Sequence, residues 1–466
     1  MASRTAPPSA SRTCSGPRTI HTPGTIGPTA ARPSRRCSPA SPITRWTSSS
    51  AATSSASTTL ASKAPAPYRL GPPGSLTGRR ILELSGPLGQ YGGKVLGDLG
   101  ADVIRIEDPD DNRARYIPPF VGDDPHRTSV YFEAWNLNKR SVTPNLRTAE
   151  GRRLFERLVK TADAVIETRP PSTLVKAGYT YERLAKINPQ IIVTTVTGFG
   201  TEGPYKDYQG ANLVYYALSG FMASSGEPER PPVVISGQLT YVCSSIHAAA
   251  GTLLAILGRN THGIGQHIEI SAQQAMVAFT TIAGVTLWLD TGRSPTRRGN
   301  HGLYPCRDGY IIIAIGRPEQ WAIFSKWVAE VTGNKDILNP KYQGRSDERE
   351  PYADLINMYI TEFSMNFERE EMYKEGQRRH LTLGPVYTIR DLLTNPQMLA
   401  RGLFQEHQHP TLGAVKLAGA PYKFSRTSTA VRRVAPEPGQ DNAQVFIEEL
   451  GLTPKRLAAL RASGVV

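Results

Sequence analysis

The chain has 466 residues, of which 39% are hydrophobic and 20% are charged, a composition typical of a soluble globular protein with more than one domain. Its formal net charge is +14, but residues 1–80 contain eleven basic side chains and no acidic one. The rest of the chain has 43 basic and 40 acidic side chains, which argues against a strongly basic face of the kind that binds nucleic acid.

The N-terminal segment, residues 1–72, is rich in Ser, Thr, Ala, Pro and Arg. Its apolar residues are too few and too irregular to offset the entropy lost on ordering, so we expect it to be disordered. An Arg- and Ser-rich, acid-free N-terminus is typical of a mitochondrial transit peptide, although its several prolines would break the helix that such a peptide forms. The alternative is an extension without function or an incorrectly assigned start.

Cysteine use and hydropathy indicate the compartment. The four cysteines, at positions 14, 37, 243 and 306, show no C-x-x-C spacing, so neither a disulfide framework nor a zinc site is expected. The longest apolar segment, near residues 248–257, is too short to span a bilayer. These features predict a protein of the cytoplasm or the mitochondrion, with no membrane partner and no nucleic-acid partner.

The first predicted elements are a strand, a glycine-rich turn, a short amphipathic helix and a second strand over residues 81–107. This order predicts the opening of a Rossmann-like α/β domain. The glycines at positions 86, 89, 92 and 93 do not form G-x-G-x-x-G, although Glu107 ends the second strand about 20 residues on, as a ribose-binding acid would. Topology therefore favours a dinucleotide site, and the glycine spacing disfavours one.

Strand and helix signals continue to alternate after Glu107. Residues 148–161 have the apolar spacing of an amphipathic helix. Alternation at this spacing predicts a parallel sheet with helices on its faces. The further predicted elements are a strand at 164–167, a helix at Tyr181–Ile187, a strand at 191–196, helices at 212–224 and 239–258, a strand at 267–270 and a long helix at 272–290.

Short motifs occur in a fixed order from about residue 76 to the C-terminus. They begin with Gly86-Pro87, Asp98-Leu99-Gly100-Ala101 and the strand that ends at Glu107. In this order they resemble the class III CoA-transferase family, which includes formyl-CoA transferases, carnitine CoA-transferases and α-methylacyl-CoA racemases. The remaining motifs are those at residues 118–122, 136–141, 197–200, 203–205, 219–220, 263–266, 307–310 and 462–466.

The element pattern and the resemblance together predict four segments. A Gly-, Arg- and Pro-containing linker at 291–300 separates two α/β regions, and a strand at 310–315 begins the second. The resemblance also implies an interlinked homodimer, a topology that composition and periodicity do not show. The predicted segments are a disordered tail at 1–72, a large Rossmann-like CoA-binding domain at 76–290, a small α+β domain at 301–395 and a C-terminal segment at 396–466 that returns to the large domain.

The resemblance implies a specific chemistry. In the family, an Asp carboxylate attacks the acyl thioester, and CoA passes through the enzyme carboxylate to a second acid. CoA is then a substrate and no cofactor is permanently bound, and the partners are an acyl-CoA and a small carboxylic acid. Counting back from the turn at 262–266 places Tyr241 at the position of the nucleophilic Asp. Ahead of Ser219-Gly220, Asn212 takes the place of the family's second acid.

Neither substitution preserves a carboxylate, and residues 238–245 contain no other acid. The ordinary pKa of Tyr is near 10, and an aryl ester is not equivalent to a carboxylic anhydride. Tyr241 therefore cannot simply take over the mechanism, and a buried aromatic side chain with a satisfied hydroxyl is the structural alternative. We expect CoA-transferase turnover to be weak or absent in this chain.

Basic and polar side chains that match the family form the predicted CoA site. The triplet 138–140 can offer cations to phosphates, although such a triplet is often simply solvated. Residues 167–172 correspond to the family's Glu-Asn-(Phe/Tyr)-x-Pro-Gly segment along the CoA chain. The predicted CoA-binding residues are Arg105, Arg113, Asn138, Lys139, Arg140, Thr168, Arg169 and Lys176.

The histidines match neither the base of the racemases nor a metal site. His247 and His301 lie away from the position of the racemase base, which aligns near residues 211–212. His407 and His409 favour a surface turn over a metal site. The sequence therefore predicts an acyl-CoA-binding, CoA-transferase-like enzyme without a metal. The alternatives are an acyl-CoA isomerase, racemase or lyase of the same fold, and a catalytically inactive CoA-binding homologue.

Overall fold

A computed structural model describes most of the chain from residue 73 onward. The described ranges are residues 73–108, 113–121, 128–170, 177–294 and 302–466. The predicted disordered tail at 1–72 lies outside them, as do residues 295–300 of the predicted linker and residue 301.

A six-stranded parallel sheet forms the centre of the larger part, with strand order β3-β2-β1-β4-β5-β6. Each neighbouring pair is parallel, and Leu82 on β1 pairs with Ile104 on β2 and with Val165 on β4. This arrangement confirms the predicted α/β fold class. The strands are β1 Arg80–Leu84, β2 Asp102–Ile106, β3 Lys139–Val142, β4 Ala164–Glu167, β5 Ile192–Thr197 and β6 His267–Ser271.

Helices cover both faces of this sheet, because successive strand side chains point to opposite faces. On one face, Leu82 and Ile104 pack in a cluster with the apolar side of the helix Ala149–Val159. On the other, Ile81 and Val103 pack with the helices Gln90–Asp98 and Leu239–His262. The helices of this part are α1 Gln90–Asp98, α2 Val130–Trp135, α3 Ala149–Val159, α4 Tyr181–Ile187, α5 Asn212–Leu218, α6 Leu239–His262, α7 Ala272–Met276 and α8 Ile282–Thr291.

Helix α6 is 24 residues long with a mean hydropathy of 1.5 in its most apolar window, so its length and composition alone would allow a membrane span. It extends well beyond the apolar segment predicted at 248–257. The pair Ala272–Phe279 and Ile282–Thr291 passes the same test together, as a bent span. In this fold α6 is a core helix, because Ala255 and Ile256 are buried against the sheet and Thr252 forms a 2.7 Å hydroxyl–hydroxyl hydrogen bond with Thr194.

Two of the predicted helices are interrupted. The single helix predicted at 272–290 is wrong, because a wider helical turn at Val277–Thr281 separates α7 from α8. The turn contains neither glycine nor proline, so no breaker residue marks the interruption in the sequence. The helix predicted at 212–224 ends at Leu218, where Gly220 adopts a left-handed backbone (φ 81°), and a short helical turn follows at Met222–Ser224.

The second region contains a three-stranded antiparallel sheet of β7 Leu303–Cys306, β8 Gly309–Ile313 and β9 Leu383–Pro385. Its core is aromatic, with Trp321, Phe324, Trp327 and Phe363 buried together. The helices here are α9 Pro318–Thr332, α10 Ser346–Arg349, α11 Ala353–Ser364, α12 Arg369–Arg378, α13 Ile389–Thr394 and α14 Pro396–Arg401, with short turns at Asp336–Leu338, Pro340–Tyr342 and Glu350–Tyr352.

A hairpin that the sequence analysis did not predict follows, formed by β10 Phe404–His409 and β11 Gly413–Ala418. The surface turn expected at His407 and His409 is therefore wrong, since both residues lie in β10. His409 is buried, and its Nε2 lies 3.0 Å from a carboxylate oxygen of Glu133 on α2.

The C-terminal segment packs on the parallel sheet. Two of its elements, the helical turn Gln444–Glu449 and α15 (Pro454–Ala462), contribute to the buried cluster on one face of the sheet. The buried residues are Val445 and Phe446 in the turn and Leu457 and Leu460 in α15. The backbone N–H of Asp441 donates to the carbonyl of Ser141 on β3 at 2.9 Å. The segment boundaries named above remain predictions.

Candidate functional site

The strand order places a switch point between β1 and β4, where the chain leaves the two neighbouring strands in opposite directions. In open parallel sheets, ligands bind in the crevice beyond the carboxyl ends of such strands. Here the Gly86-Pro87 loop follows β1, and Thr168 and Arg169 follow β4. The Thr168 hydroxyl accepts a 2.7 Å hydrogen bond from the Gly86 N–H. The two loops at the switch point are therefore joined.

The first turns of α6 lie against the same loop. The hydroxyls of Ser244 and Ser245 donate to the carbonyl of Leu88, at 3.0 and 2.9 Å. A Cβ at Gly92 would lie 2.8 Å from the carbonyl oxygen of Ser245, so only glycine lets α1 and α6 approach this closely. Small side chains on both helices thus place the N-terminus of α6 at the switch point.

The structure brings Tyr241 and Asn212 together. Tyr241 lies in the first turn of α6, and its hydroxyl accepts a 3.1 Å hydrogen bond from the backbone N–H of Asn212. The Asn212 side-chain oxygen in turn accepts from the N–H of Thr240 at 3.0 Å, and the Thr240 hydroxyl donates to the Asn212 carbonyl. Both positions singled out from the sequence therefore meet at one point near the carboxyl edge of the sheet.

Burial sets the protonation state of Tyr241 and of its neighbour Tyr215. Burial raises the pKa of Tyr241, and the Asn212 N–H offsets only part of that rise. Burial also raises the pKa of the neighbouring Tyr215 to about 12, with Tyr241 adding to the effect. Both phenols therefore remain protonated and neutral at physiological pH. A neutral phenol is a poor nucleophile toward a thioester.

Arg105 and Lys139, predicted to contact CoA phosphates, are instead buried in ion pairs. Arg105 donates to Glu83 at 2.7 Å, and the Lys139 ammonium lies 2.7 Å from the other oxygen of the same carboxylate. Lys139 is fully buried and also donates to the carbonyl of Gln90 at 2.6 Å. This placement leaves neither cation a free face for a phosphate, and it gives them a structural role in holding the start of α1.

These charges shift one another's titration. Burial lowers the pKa of Lys139 to about 8, against the opposing pull of Glu83. Burial alone would raise the pKa of Glu107, but Arg105 and Arg115 outweigh it and hold that pKa at about 2. The group is therefore a structural ion-pair network beneath α1.

Asn138 and Arg140 face elsewhere. The Arg140 guanidinium donates to Asp102 at 2.7 Å and pairs with Glu449. Asn138 donates to Asp98 at 2.8 Å and holds a left-handed backbone (φ 62°). Because Asp102 is the first residue of β2, Arg140 lies toward the amino edge of the sheet, away from Thr168. The predicted triplet is thus not assembled into one site with Thr168.

Arg169 is the predicted cation that stays at the switch point. Its backbone N–H and Nε both donate to the buried carboxylate of Glu167 at 2.8 Å, and its guanidinium carbon lies 5.4 Å from the Tyr179 ring centroid. Its side chain is 27% exposed in the described part of the chain. Arg113 begins the helical turn Arg113–Tyr116, while its side chain and all of Lys176 lie outside the described part of the chain.

Sequence reasoning did not single out Glu83, Ser244 or Ser245. A signal for the serines was present, because small residues at successive helix positions facing a glycine-rich helix indicate close packing. No comparable signal marks Glu83, whose partners become neighbours only when three parallel strands align.

A polar cavity of about 490 Å³ opens at the opposite, amino edge of the sheet. It is lined in part by Arg79, Asp163 and Arg259, but both guanidiniums already pair with Asp163. The cavity is remote from Tyr241 and adds nothing to the switch-point site.

Comparison with known proteins identifies the family. The family model of CoA-transferase family III matches residues 76–442. The chain is 30% identical over 386 residues to the succinate–glutarate CoA-transferase of Agrobacterium fabrum, covering 80% of this chain and 95% of that protein. It is 31% identical over 383 residues to the succinyl-CoA:(R)-benzylsuccinate CoA-transferase subunit BbsE of Thauera aromatica, covering 79% and 93%.

A solved structure agrees. The crystal structure of a CaiB/BaiF family protein from Brucella suis superposes with a TM-score of 0.73 at 30% identity, covering 81% of this chain and 99% of that one. The fold and the motif order thus define an enzyme of the CoA-transferase class. The chain belongs to CoA-transferase family III.

Proposed function

We propose that this protein binds an acyl-CoA at the carboxyl edge of its parallel sheet. We propose that its reaction is of the type that moves CoA between small carboxylic acids. The support is the family membership together with the switch-point geometry. Relatives named for succinate, glutarate, citramalate and oxalate all act on small carboxylic acids. Arg169 is the cation that we assign to the CoA phosphates, since it is partly exposed beside the loop of Gly86.

The observation that decides the activity is the side chain at position 241. In the Asp-dependent route, a carboxylate oxygen bonds to the acyl carbon while the C–S bond breaks, which gives a mixed anhydride and CoA thiolate. The thiolate then attacks the enzyme's own carbonyl, releasing the first acid and leaving a CoA thioester on the enzyme. The second acid repeats these steps in reverse and regenerates the carboxylate.

Tyr241 cannot support this series of chemical steps. A phenol that attacked the thioester would form an aryl ester whose single carbonyl belongs to the acyl group. The thiolate would then find no enzyme carbonyl to attack, so CoA could not be stored on the protein. Burial also keeps the phenol protonated, because it raises the pKa of Tyr241. We therefore propose acyl-CoA binding with slow CoA transfer as the property of the chain as written.

The test is the rate at which an acyl-CoA exchanges its CoA with an isotopically labelled carboxylic acid. We expect wild type and Tyr241→Phe to be equally slow, and Tyr241→Asp to be faster by at least about 100-fold, since removing a covalent nucleophile costs several orders of magnitude. Fast turnover by wild type that Tyr241→Phe leaves unchanged would contradict the proposal. It would point to another carboxylate, such as Asp207 or Glu229.

The same observation favours a second candidate, a catalytically inactive CoA-binding homologue. Asn212 removes the second acid position as well, and its side chain is used to bond Thr240 and Gly237 within the protein. Tight acyl-CoA binding with no exchange in wild type, and none gained in Tyr241→Asp combined with Asn212→Asp, would select this candidate.

We also propose that the protein is a homodimer, interlinked as in its family. Helix α8 exposes large apolar side chains, with Trp288 55% and Leu289 79% accessible. Contiguous apolar surface of this kind marks a protein interface. In light-scattering chromatography we expect a dimer that Leu289→Glu weakens, whereas Ile389→Glu, at an equally exposed position on α13, leaves it intact. A monomeric wild type would contradict the proposal.

A further inference from the structure

Four aromatic side chains form a continuous group beside the Tyr241–Asn212 pair. We call this group, made of Phe199, Tyr205, Tyr208 and Tyr215, the aromatic cluster. Phe199 lies at its centre, with ring centroids 5.3 Å from Tyr215, 6.1 Å from Tyr205 and 6.4 Å from Tyr208, all edge-to-face. Tyr205 and Tyr208 stack on each other at 4.8 Å with 26° between their planes.

The inner end of the aromatic cluster is held firmly. Tyr215 is buried, and a Cβ at either Gly198 or Gly210 would lie within 2.4 Å of its ring. The loop between these glycines is tied to β6, because the Thr201 hydroxyl donates to the Glu269 carboxylate at 2.5 Å. The cluster is therefore preorganised by backbone that fits around one ring.

Its outer end is open. The side chains of Tyr205 and Tyr208 are 48% and 61% accessible. Two stacked rings that expose this much surface at the edge of a binding crevice form a platform on which a further ring can lie, since aromatic pairs gain energy beyond the area that they bury.

The inner end of the aromatic cluster adjoins Tyr241. Tyr215 is on α5, the helix whose first residue bonds the Tyr241 hydroxyl, so the cluster leads outward from the predicted reacting position. Burial is the main cause of the raised pKa of both Tyr215 and Tyr241, so both phenols are neutral. Lys206, the one cation among residues 198–212, is exposed between Tyr205 and Tyr208 at the outer end of the cluster. A second carboxylate on a short acyl group bound at Tyr241 would lie beside neutral phenols.

We propose that the aromatic cluster receives the acyl group and that this acyl group carries an aromatic ring, so that the substrate is the CoA thioester of an aryl-substituted carboxylic acid. This rests on the proposed function, because it presumes that the acyl end of an acyl-CoA lies at Tyr241. The adenine of CoA is another source of a ring, and the test separates the two.

The experiment measures the binding of free CoA, acetyl-CoA, succinyl-CoA and phenylacetyl-CoA to the full chain by calorimetry. We expect phenylacetyl-CoA to bind about 10-fold more tightly than acetyl-CoA, a ratio typical of one good aromatic contact. Succinyl-CoA should gain nothing over acetyl-CoA. In the double variant Tyr205→Ala, Tyr208→Ala the 10-fold preference should fall below about 2-fold while the affinity for free CoA stays unchanged.

The control is Tyr310→Ala, which removes a 54% accessible tyrosine from β8 of the second region and should leave the preference intact. Both substituted tyrosines, Tyr205 and Tyr208, are exposed, so the double variant should keep the wild-type unfolding midpoint. Equal affinity for all three thioesters, or tighter binding of succinyl-CoA, would overturn the inference. If the double variant lost equal affinity for free CoA and for phenylacetyl-CoA, the platform would be assigned to the adenine of CoA. Failure of every CoA compound to bind would instead overturn the proposed function and this inference with it.

Discussion

At the scale of single residues, Glu83 determines how the start of α1 is held. Its two oxygens each lie 2.7 Å from a cation, Arg105 on one side and Lys139 on the other, and all three side chains are buried. Gly93 lies directly above, where a Cβ would fall 1.6 Å from a Glu83 oxygen. The position of the Glu83 carboxylate therefore requires glycine at position 93.

We expect Gly93→Ala to displace the Glu83 carboxylate and to destabilise the protein by about 3–5 kcal/mol, the cost of breaking a buried ion pair. Urea unfolding at neutral pH measures this loss. Gly316→Ala is the matched control, because a Cβ there meets nothing within 4 Å, and it should change stability by less than about 0.5 kcal/mol. Equal effects of the two substitutions would contradict the constraint.

Glu107 gives the ion-pair network a pH dependence. Arg105 and Arg115 outweigh burial and hold the pKa of Glu107 at about 2, below its ordinary value of 4.5. A carboxylate with a lowered pKa stabilises the folded state above its unfolded pKa, and this stabilisation is lost as the pH falls from about 4.5 toward 2. The loss is about 3 kcal/mol for this group.

The measurement is the free energy of unfolding from pH 6 to pH 2 in wild type and in Glu107→Gln. We expect the variant to be less stable at pH 6 and to lose less stability on acidification. Glu229→Gln, at an exposed position after Pro228, should follow the wild-type curve. Parallel curves for Glu107→Gln and wild type would show that this carboxylate does not carry the acid sensitivity.

The predicted phosphate-binding cations show what sequence reasoning at this scale lacks. Tyr241 and Asn212 were found by position along the chain, and the structure joins them by a hydrogen bond. Lys139 and Arg140 are basic residues in a familiar motif, but their acidic partners are remote in sequence, and Glu449 lies 309 residues from Arg140. No local pattern distinguishes a solvated cation from one that the fold will bury against a distant carboxylate.

At the scale of elements, most strands and helices up to β6 could be predicted because they are short apolar or amphipathic runs bounded by glycine, proline or polar residues. Helix α2 and strand β3 were not predicted. The predicted strand at 164–167 coincides with β4, and the predicted helix Tyr181–Ile187 coincides with α4. The break between α7 and α8 could not be predicted, since the turn Val277–Thr281 contains no glycine or proline. The β10–β11 hairpin was missed because its strands carry little apolar alternation and hold polar residues such as Gln405 and His407.

The contact between α1 and α6 is the element-scale feature that forms the site. A Cβ at Gly92 would lie 2.8 Å from the backbone carbonyl of Ser245, which cannot move without shifting α6. We expect Gly92→Ala to destabilise the protein by about 1–3 kcal/mol through overpacking. Because Tyr241 is in the first turn of the displaced helix, the affinity for CoA should fall as well.

Gly258→Ala on α6 is the control for this contact. There the nearest atom to an added Cβ is 3.8 Å away, so the substitution should be neutral or stabilise the helix by up to about 1 kcal/mol. Thermal unfolding and calorimetry with CoA measure both effects. If Gly92→Ala behaved like Gly258→Ala, the close approach of the two helices would not be a requirement of the fold.

At the scale of the whole molecule, relatives of one family are named for different acids, so the fold alone does not determine which acid a member uses. The motifs that identify the family are largely those that form the sheet, its turns and its buried ion pairs. Under the proposed function, the residues that set the chemistry are Tyr241 and Asn212, which depart from the pattern that the resemblance implies. Family membership and catalytic competence would then be separate properties of this chain.

The most direct test of this separation is the intact mass of the protein after incubation with an acyl-CoA and trapping with borohydride. We predict no CoA-dependent modification of wild type or Tyr241→Phe. In Tyr241→Asp we predict a CoA thioester at position 241, which borohydride reduces to a stable primary alcohol with release of CoA. Peptide mapping assigns the modified residue, and calorimetry with free CoA on the same samples verifies that each variant still binds the nucleotide. The same reduced side chain at a carboxylate position of the wild-type protein would contradict the account, because it would show that this chain carries its own nucleophile elsewhere.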